Sequence, residues 1–253
     1  MADAILLGTG TSNGVPSLGV AYPASFLADP RNHRTRCSVL LRGPAGNVLI
    51  DAAPELRLQM LKTGELDLEA TIITHTHADH IMGMDDLRSF CIKTGGAMPV
   101  YTLPEYHADI RRVFKYAFED FPPGIFIPRF DLFDIPERLE LGGLTIETRP
   151  APHGPVRSLA IRVNDFAYLT DLSEIPDEIR PWLAGLDTLV LDAVRYRPHP
   201  NHLHFDKAVE EAERIGAKQT FFTHLCDDYD HATVEADLPP HIRLAYDGLH
   251  IPL

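Results

Sequence analysis

The chain has 253 residues, of which 45% are apolar and 23% charged, a globular composition that excludes a disordered or fibrous protein. A formal charge of −13 argues against a long nucleic-acid duplex as partner, because such binding needs broad neutralisation by Lys and Arg. No run of about 18 apolar residues occurs, so no membrane span is expected, and three scattered cysteines (Cys37, Cys91, Cys226) exclude a disulfide framework and fit a cytoplasmic protein.

The start, MADAILLGTGTSNG, has no basic n-region and reads as a strand over 4–10 rather than a signal peptide. Apolar runs at 38–43 and 47–52 predict two more strands. PELRLQMLKTG (54–64) predicts a helix that opens at Pro and stops at Gly. ATIITH (70–75) is a strand, followed by a His-rich turn and a helix over 82–96. A long amphipathic helix is expected over 104–120, and the Pro/Gly-rich segment FPPGIFIPRFD (121–131) as an inserted loop or flap. Strands follow at 166–171, 188–193 and 220–225, with helices at 176–185 and 205–217 between them.

The near-continuous apolarity of these strands predicts burial on both faces. Their alternation with helices predicts an α/β layered fold, expected as a single domain over 1–253 because no linker interrupts the chain. Several strands end in a polar residue: Asp51, His75, Asp171, Asp192 and His224. Sites gather at strand ends in such folds, so these residues are expected to meet at one edge. NVLIDA and FAYLTD share the pattern of a strand ending in Asp, which suggests a two-half repeat.

THTHADH (74–80) carries the strongest chemical signal among the 13 histidines. His75, His77, Asp79 and His80 place four donor groups in six residues between a buried strand and a helix. Imidazole and carboxylate together suit Zn²⁺, Mn²⁺ or Fe²⁺. A tight turn would divide the four groups between two ions.

This His-x-His-x-Asp-His run after a strand resembles the signature of the metallo-β-lactamase superfamily. The later parts of that pattern have counterparts in APHG (His153), YLTD (Asp171) and FFTH (His224). The resemblance implies a four-layer αβ/βα sandwich and two divalent metal ions, Mn or Zn. It implies that His75, His77 and His153 hold one ion, that Asp79, His80 and His224 hold the second, and that Asp171 bridges them. Asp79 then counts among the catalytic residues as well as the ligands. Asp51 would support the His loop without ligating, the alternative being an N-cap for the helix over 54–64. Asp192 has two readings of its own, support for a ligand or a plain turn residue.

Asp171 stands where the β-lactamases of the superfamily usually carry Cys. GTGTSNGVPS (8–17), DAAPELRLQ (51–59), THLCDDYDH (223–231) and AYDG (245–248) are instead similar to the branch that holds the phosphoribosyl 1,2-cyclic phosphate phosphodiesterase of the carbon–phosphorus lyase pathway, with ribonuclease Z as a relative. That branch implies attack on a small cyclic phosphodiester, such as a ribose or nucleoside cyclic phosphate, by a metal-activated water. In RYRPHPNHLHFDKA (195–208), His202 matches its proton donor to the leaving group, with His204 as the rival. Arg34, Arg36, Arg195 and Arg197 are candidate forks for phosphate oxygens, the plain reading being solvated loop charge. Members of the branch often bind a structural zinc, but the aligned positions here read Val20, Tyr22, Ser25 and Asp227, so all four ligands are missing. The branch also often dimerises, which makes a homodimer an expectation. Two other functions remain open at this stage: a thioester or lactone hydrolase using the same metals, and a non-catalytic metal-binding protein.

Overall fold

The computed structural model describes residues 2–122 and 124–253; Met1 and Pro123, the latter inside the expected flap, lie outside the described residues. Fourteen strands form two sheets of seven among these residues. The strands are β1 (Asp3–Gly8), β2 (Ser38–Arg42), β3 (Asn47–Ile50), β4 (Ala70–Ile72), β5 (Met98–Thr102), β6 (Phe130–Asp134), β7 (Arg138–Leu141), β8 (Leu144–His153), β9 (Val156–Val163), β10 (Phe166–Leu169), β11 (Thr188–Asp192), β12 (Gln219–Thr223), β13 (Ile242–Leu244) and β14 (Leu249–Pro252). The sheet orders are β14-β1-β2-β3-β4-β5-β6 and β13-β12-β11-β10-β9-β8-β7.

The two sheets are built alike. In the first, pairing is antiparallel up to β3 and parallel from β3 to β6. In the second, pairing is antiparallel from β7 to β10 and parallel from β10 to β13. NVLIDA and FAYLTD, whose likeness suggested a repeat, are thus the two strands at which pairing changes sense. The carboxyl ends of parallel strands at such a switch are where α/β sheets place their sites.

The inner faces of both sheets share one apolar core, with Val39, Leu41, Ile50 and Ile72 from one side and Ile146, Ile161, Phe166 and Val190 from the other. The outer face of the first sheet is covered by α2 (Leu56–Thr63), α4 (Arg88–Thr94) and α5 (His107–Val113). The outer face of the second is covered by α6 (Phe205–Ile215) and α7 (His231–Asp237). The result is the four-layer sandwich, helix on sheet on sheet on helix. The short α1 (Ala24–Ala28) and α3 (Ala78–Ile81) lie in the loops beside the strand ends. No helix among the described residues is long and apolar enough to cross a membrane.

Three expectations about elements need correction. The long helix over 104–120 breaks: α5 ends at Val113, because the next residue, Phe114, has a ψ of 41° that leaves the helical region, and only short 3₁₀ turns flank it. The helix over 176–185 is a single 3₁₀ turn at Pro181–Leu183, since Pro181 removes a backbone donor in mid-segment. The expected flap is in part a strand, because β6 begins at Phe130.

Candidate metal centre

The ends of the strands deliver the polar cluster. Asp51 follows β3, Asp171 follows β10 and His224 follows β12, and all three have left-handed backbone, with φ of 60°, 55° and 57°. Non-glycine residues rarely adopt that region. Of four such residues among those described, three are at this one place, which is where backbone strain collects in functional sites. The THTHADH turn leads from β4 into α3, and His153 closes β8.

The structure brings the side chains together in two groups: His75, His77 and His153 in one, and Asp79, His80, Asp171 and His224 in the other. Within each group the donor atoms lie within 4.8 Å of one another. Asp171 faces both groups. Its Oδ1 lies 3.9 Å from His75 Nε2, 3.8 Å from His153 Nε2 and 3.3 Å from His224 Nε2, and its Oδ2 lies 3.3 Å from His80 Nε2. Asp79 Oδ2 is 3.3 Å from His80 Nε2 and 3.6 Å from His224 Nε2.

The supporting bonds explain why the ring nitrogens point inward. Asp51, fully buried, accepts hydrogen bonds from Thr74 N and Thr74 Oγ1, both at 2.8 Å, and from His80 Nδ1 at 2.7 Å. A carboxylate can only accept here, so Nδ1 of His80 carries a proton and Nε2, which faces the cluster, is the nitrogen left for an ion once its own proton is displaced. Asp51 does not cap the following helix, whose N-cap residue is Glu55. His153 Nδ1 donates to the Asn201 carbonyl at 2.8 Å, which fixes that ring in the same sense. Asn201 fits there because Gly154 has no side chain: a Cβ at that position would lie 2.3 Å from Asn201 Oδ1.

The donor chemistry fits divalent cations. Nε2 of His75, His80 and His224 are buried with no hydrogen-bond partner, a costly state that a cation would relieve. In the ion-free chain, burial alone would lower the His224 ring, but Asp171 and Asp79 outweigh it and push it up to about 9. Burial likewise opposes the charge on His80, while Asp171, Asp51 and Asp79 hold it well above its ordinary value. Burial would raise Asp171, yet the His224 and His80 rings beside it hold it well below the usual carboxylate range. His75 is held neutral by burial and by the His80 charge. Protons on His80 and His224 thus balance the carboxylates where a cation would do so.

His202 stands beside these groups. Its Nδ1 donates to Asp192 Oδ2 at 2.9 Å, and its ring stacks on His224 with centroids 4.6 Å apart and packs edge-on against His153 at 4.7 Å. Asp192 also accepts from Leu172 N at 3.2 Å. His204 is the N-cap residue of α6 and belongs to none of the donor groups.

Of the four candidate arginines, the structure withdraws Arg34 from solvent. Arg34 is only 1% exposed; its Nη1 donates to the Tyr229 carbonyl at 3.0 Å, and burial pulls its guanidinium down to about 10. It holds the chain near α7 in place and is not a free phosphate fork. Arg36 is paired with Glu55. Arg195 braces its own loop through the carbonyls of Arg197 (3.1 Å) and Pro198 (2.8 Å), and Arg197 is exposed. Sequence reasoning missed Thr74, Thr170 and Asn201, the last two of which act on Asp171 (Thr170 Oγ1 to Oδ2, 2.6 Å) and His153. The one local signal was the Thr immediately before a donor residue, in LTD as in ITH.

A family profile described as the beta-lactamase superfamily domain matches residues 46–225. The chain belongs to the metallo-β-lactamase superfamily. A crystal structure described as a new diphosphatase from the PhnP family is 38% identical, with a TM-score of 0.91, over 100% of this chain and 98% of that one. A protein named octanoyltransferase from Porphyromonas gingivalis (strain ATCC BAA-308 / W83) is 34% identical over 254 residues, which cover 97% of this chain and 50% of that protein. A ribonuclease Z from Clostridium novyi (strain NT) is 32% identical over 117 residues, 46% of this chain and 32% of that protein. The chain therefore spans half the length or less of these two curated relatives. Its fold is that of the superfamily's metal-dependent hydrolases, and it carries a cluster of His and Asp donors.

Proposed function

We propose that this chain hydrolyses a small phosphodiester, such as a nucleoside or sugar cyclic phosphate, with two divalent cations, Mn²⁺ or Zn²⁺, held by His75, His77 and His153 on one side and by Asp79, His80 and His224 on the other, with Asp171 shared. The observation that carries the reading is His202: a histidine whose Nδ1 is bonded to a buried carboxylate and whose ring packs against two of the donor rings. Ester hydrolysis at phosphorus expels an alkoxide, which needs a proton. When bound, the cations act as Lewis acids that make a water acidic enough to attack and that offset charge on the phosphoryl oxygens.

The chain's own residues do the rest. Asp51 and the Asn201 carbonyl hold His80 and His153 in single tautomers. Asp192 holds the Nδ1–H of His202 and so leaves Nε2 as the nitrogen that exchanges a proton with the leaving group. The close walls of buried strands exclude bulk water from His75, His80 and Asp171. The likeness to a diphosphatase at 38% identity supports chemistry at phosphorus. The octanoyltransferase name favours an acyl substrate, and half of that protein lies outside the match. A panel therefore decides: bis(p-nitrophenyl) phosphate, a 2′,3′-cyclic nucleotide and a ribose cyclic phosphate beside a thioester and a lactone, all on protein of measured metal content. Turnover of the phosphodiesters alone supports the reading, and turnover of the thioester or lactone alone overturns it.

A further inference from the structure

The loop after β1 has a firmly bound base and a lightly bound tip. Its base is tied by backbone bonds, Thr11 N to the Leu225 carbonyl at 3.1 Å and a reciprocal pair between Val15 and Arg34 at 2.8 Å. Its tip projects into solvent, with Leu18 98% exposed. The Tyr22 phenol spans from this tip to the segment after His224. It accepts from Ser17 N at 2.8 Å and donates to Asp227 Oδ2 at 2.5 Å, while its ring stacks on Phe26 at 5.0 Å. Tyr22 and Asp227 are two of the positions where the related branch carries structural zinc ligands. Here a hydrogen bond joins them.

Both partners of the phenol, Ser17 and Asp227, line a cavity of about 610 Å³, a size that suits a small-molecule ligand. Its walls are of two kinds. Asn13, Arg36, Glu55 and Asp227 offer donors and acceptors, while Val15 and Val20 offer apolar surface. A flat heteroaromatic base with a hydrogen-bonding edge matches that combination. Two lining residues lie near the donor cluster along the chain: Asp227 is three residues beyond His224 and Glu55 four beyond Asp51, which caps those Cα separations at roughly 10–14 Å.

Resting on the phosphodiesterase reading above, we propose that this cavity is the subsite for a nucleoside on the substrate, and that Tyr22 is the positioning residue that sets its width by latching the loop tip to Asp227. Tyr22→Phe keeps the stacking on Phe26 and removes both hydrogen bonds.

Two substrates that release the same leaving group isolate the subsite: p-nitrophenyl thymidine 5′-phosphate and methyl p-nitrophenyl phosphate. Tyr22→Phe is expected to lower kcat/KM for the nucleoside ester relative to the methyl ester by about tenfold, mostly through KM. Melting temperature and metal content are measured alongside. Asp227→Asn still accepts the phenol's hydrogen bond and is expected to keep the wild-type ratio of the two substrates, whereas Asp227→Ala loses it. An unchanged ratio in both Tyr22→Phe and Asp227→Ala overturns the latch, as does an equal loss in Asp227→Asn and Asp227→Ala. A wild-type enzyme inert on both esters overturns the phosphodiesterase reading and the subsite with it. A wild-type enzyme active on both but indifferent to the nucleoside overturns the subsite alone.

Discussion

Asp192 accepts the Nδ1 proton of His202 at 2.9 Å, while its second oxygen lies 3.8 Å from Nδ1 of His224. One fully buried carboxylate thus faces both the proposed proton donor and a proposed metal ligand. His202→Ala should retain both ions and the fold. Its rate on an alkyl or ribosyl cyclic phosphate should fall by about 10²–10⁴-fold, and its rate on a p-nitrophenyl ester far less, since p-nitrophenolate leaves without a proton. Asp192→Asn should show the same dependence on leaving group in smaller measure, and His204→Ala none. Steady-state rates of the three variants on one activated and one alkyl phosphodiester provide the check; a defect in His202→Ala that is equal on both removes general acid catalysis by this residue.

The Asp51 carboxylate accepts three hydrogen bonds and reaches the metal groups through His80 directly and through Thr74, whose Oγ1 contacts His75 Nδ1. Asp51→Ala frees the His80 ring to rotate and removes the carboxylate that accepts from Thr74 N and Thr74 Oγ1, leaving Thr74 Oγ1 only its 3.1 Å contact with His75 Nδ1. The expected loss of metal affinity is about 10–100-fold, read by competition with a chromogenic chelator. Affinity unchanged from wild type would mean that the bond to His80 has no part in the centre.

Asp171 lies within 3.9 Å of ring nitrogens in both donor groups. Asp171→Ala should therefore lower the ion content of the chain as well as the rate, because a shared carboxylate serves both ions. Elemental analysis that finds the wild-type content in this variant would exclude the shared role.

Cation binding should release protons. The ion-free His224 ring is pushed up to about 9 and His80 is also raised, so both are charged at neutral pH. A raised value means the proton is held below it and must leave before the nitrogen can ligate. Apparent affinity should then rise with pH between 6 and 8, by about tenfold per unit for each proton displaced. Titration calorimetry in two buffers of different ionisation enthalpy counts the protons, and heats independent of buffer would contradict the assignment.

The parts of the centre that were legible in the sequence are those written in local runs. THTHADH states four donors in one turn, and NVLIDA and FAYLTD state the strand that delivers each Asp. His153 was found by order in a motif rather than by its strand, because Pro150 and Pro152 interrupt the pattern of β8 even though its burial alternates. The fate of Arg34 was not legible, since its partner Tyr229 is 195 positions away. The same holds for Tyr22 and Asp227, 205 positions apart. The helix over 104–120 failed for a different reason: amphipathic spacing continues through Phe114, but its backbone turns out of the helix there. Spacing records which face is buried and says little about where tertiary packing bends the chain.

Ion content and phosphodiester turnover, measured together on one preparation, bear on the whole reading. The expected result is two ions per chain, hydrolysis of bis(p-nitrophenyl) phosphate and a 2′,3′-cyclic nucleotide, loss of both activities after exhaustive chelation, and recovery with Mn²⁺ or Zn²⁺. Full phosphodiester hydrolysis by the metal-free chain would contradict it.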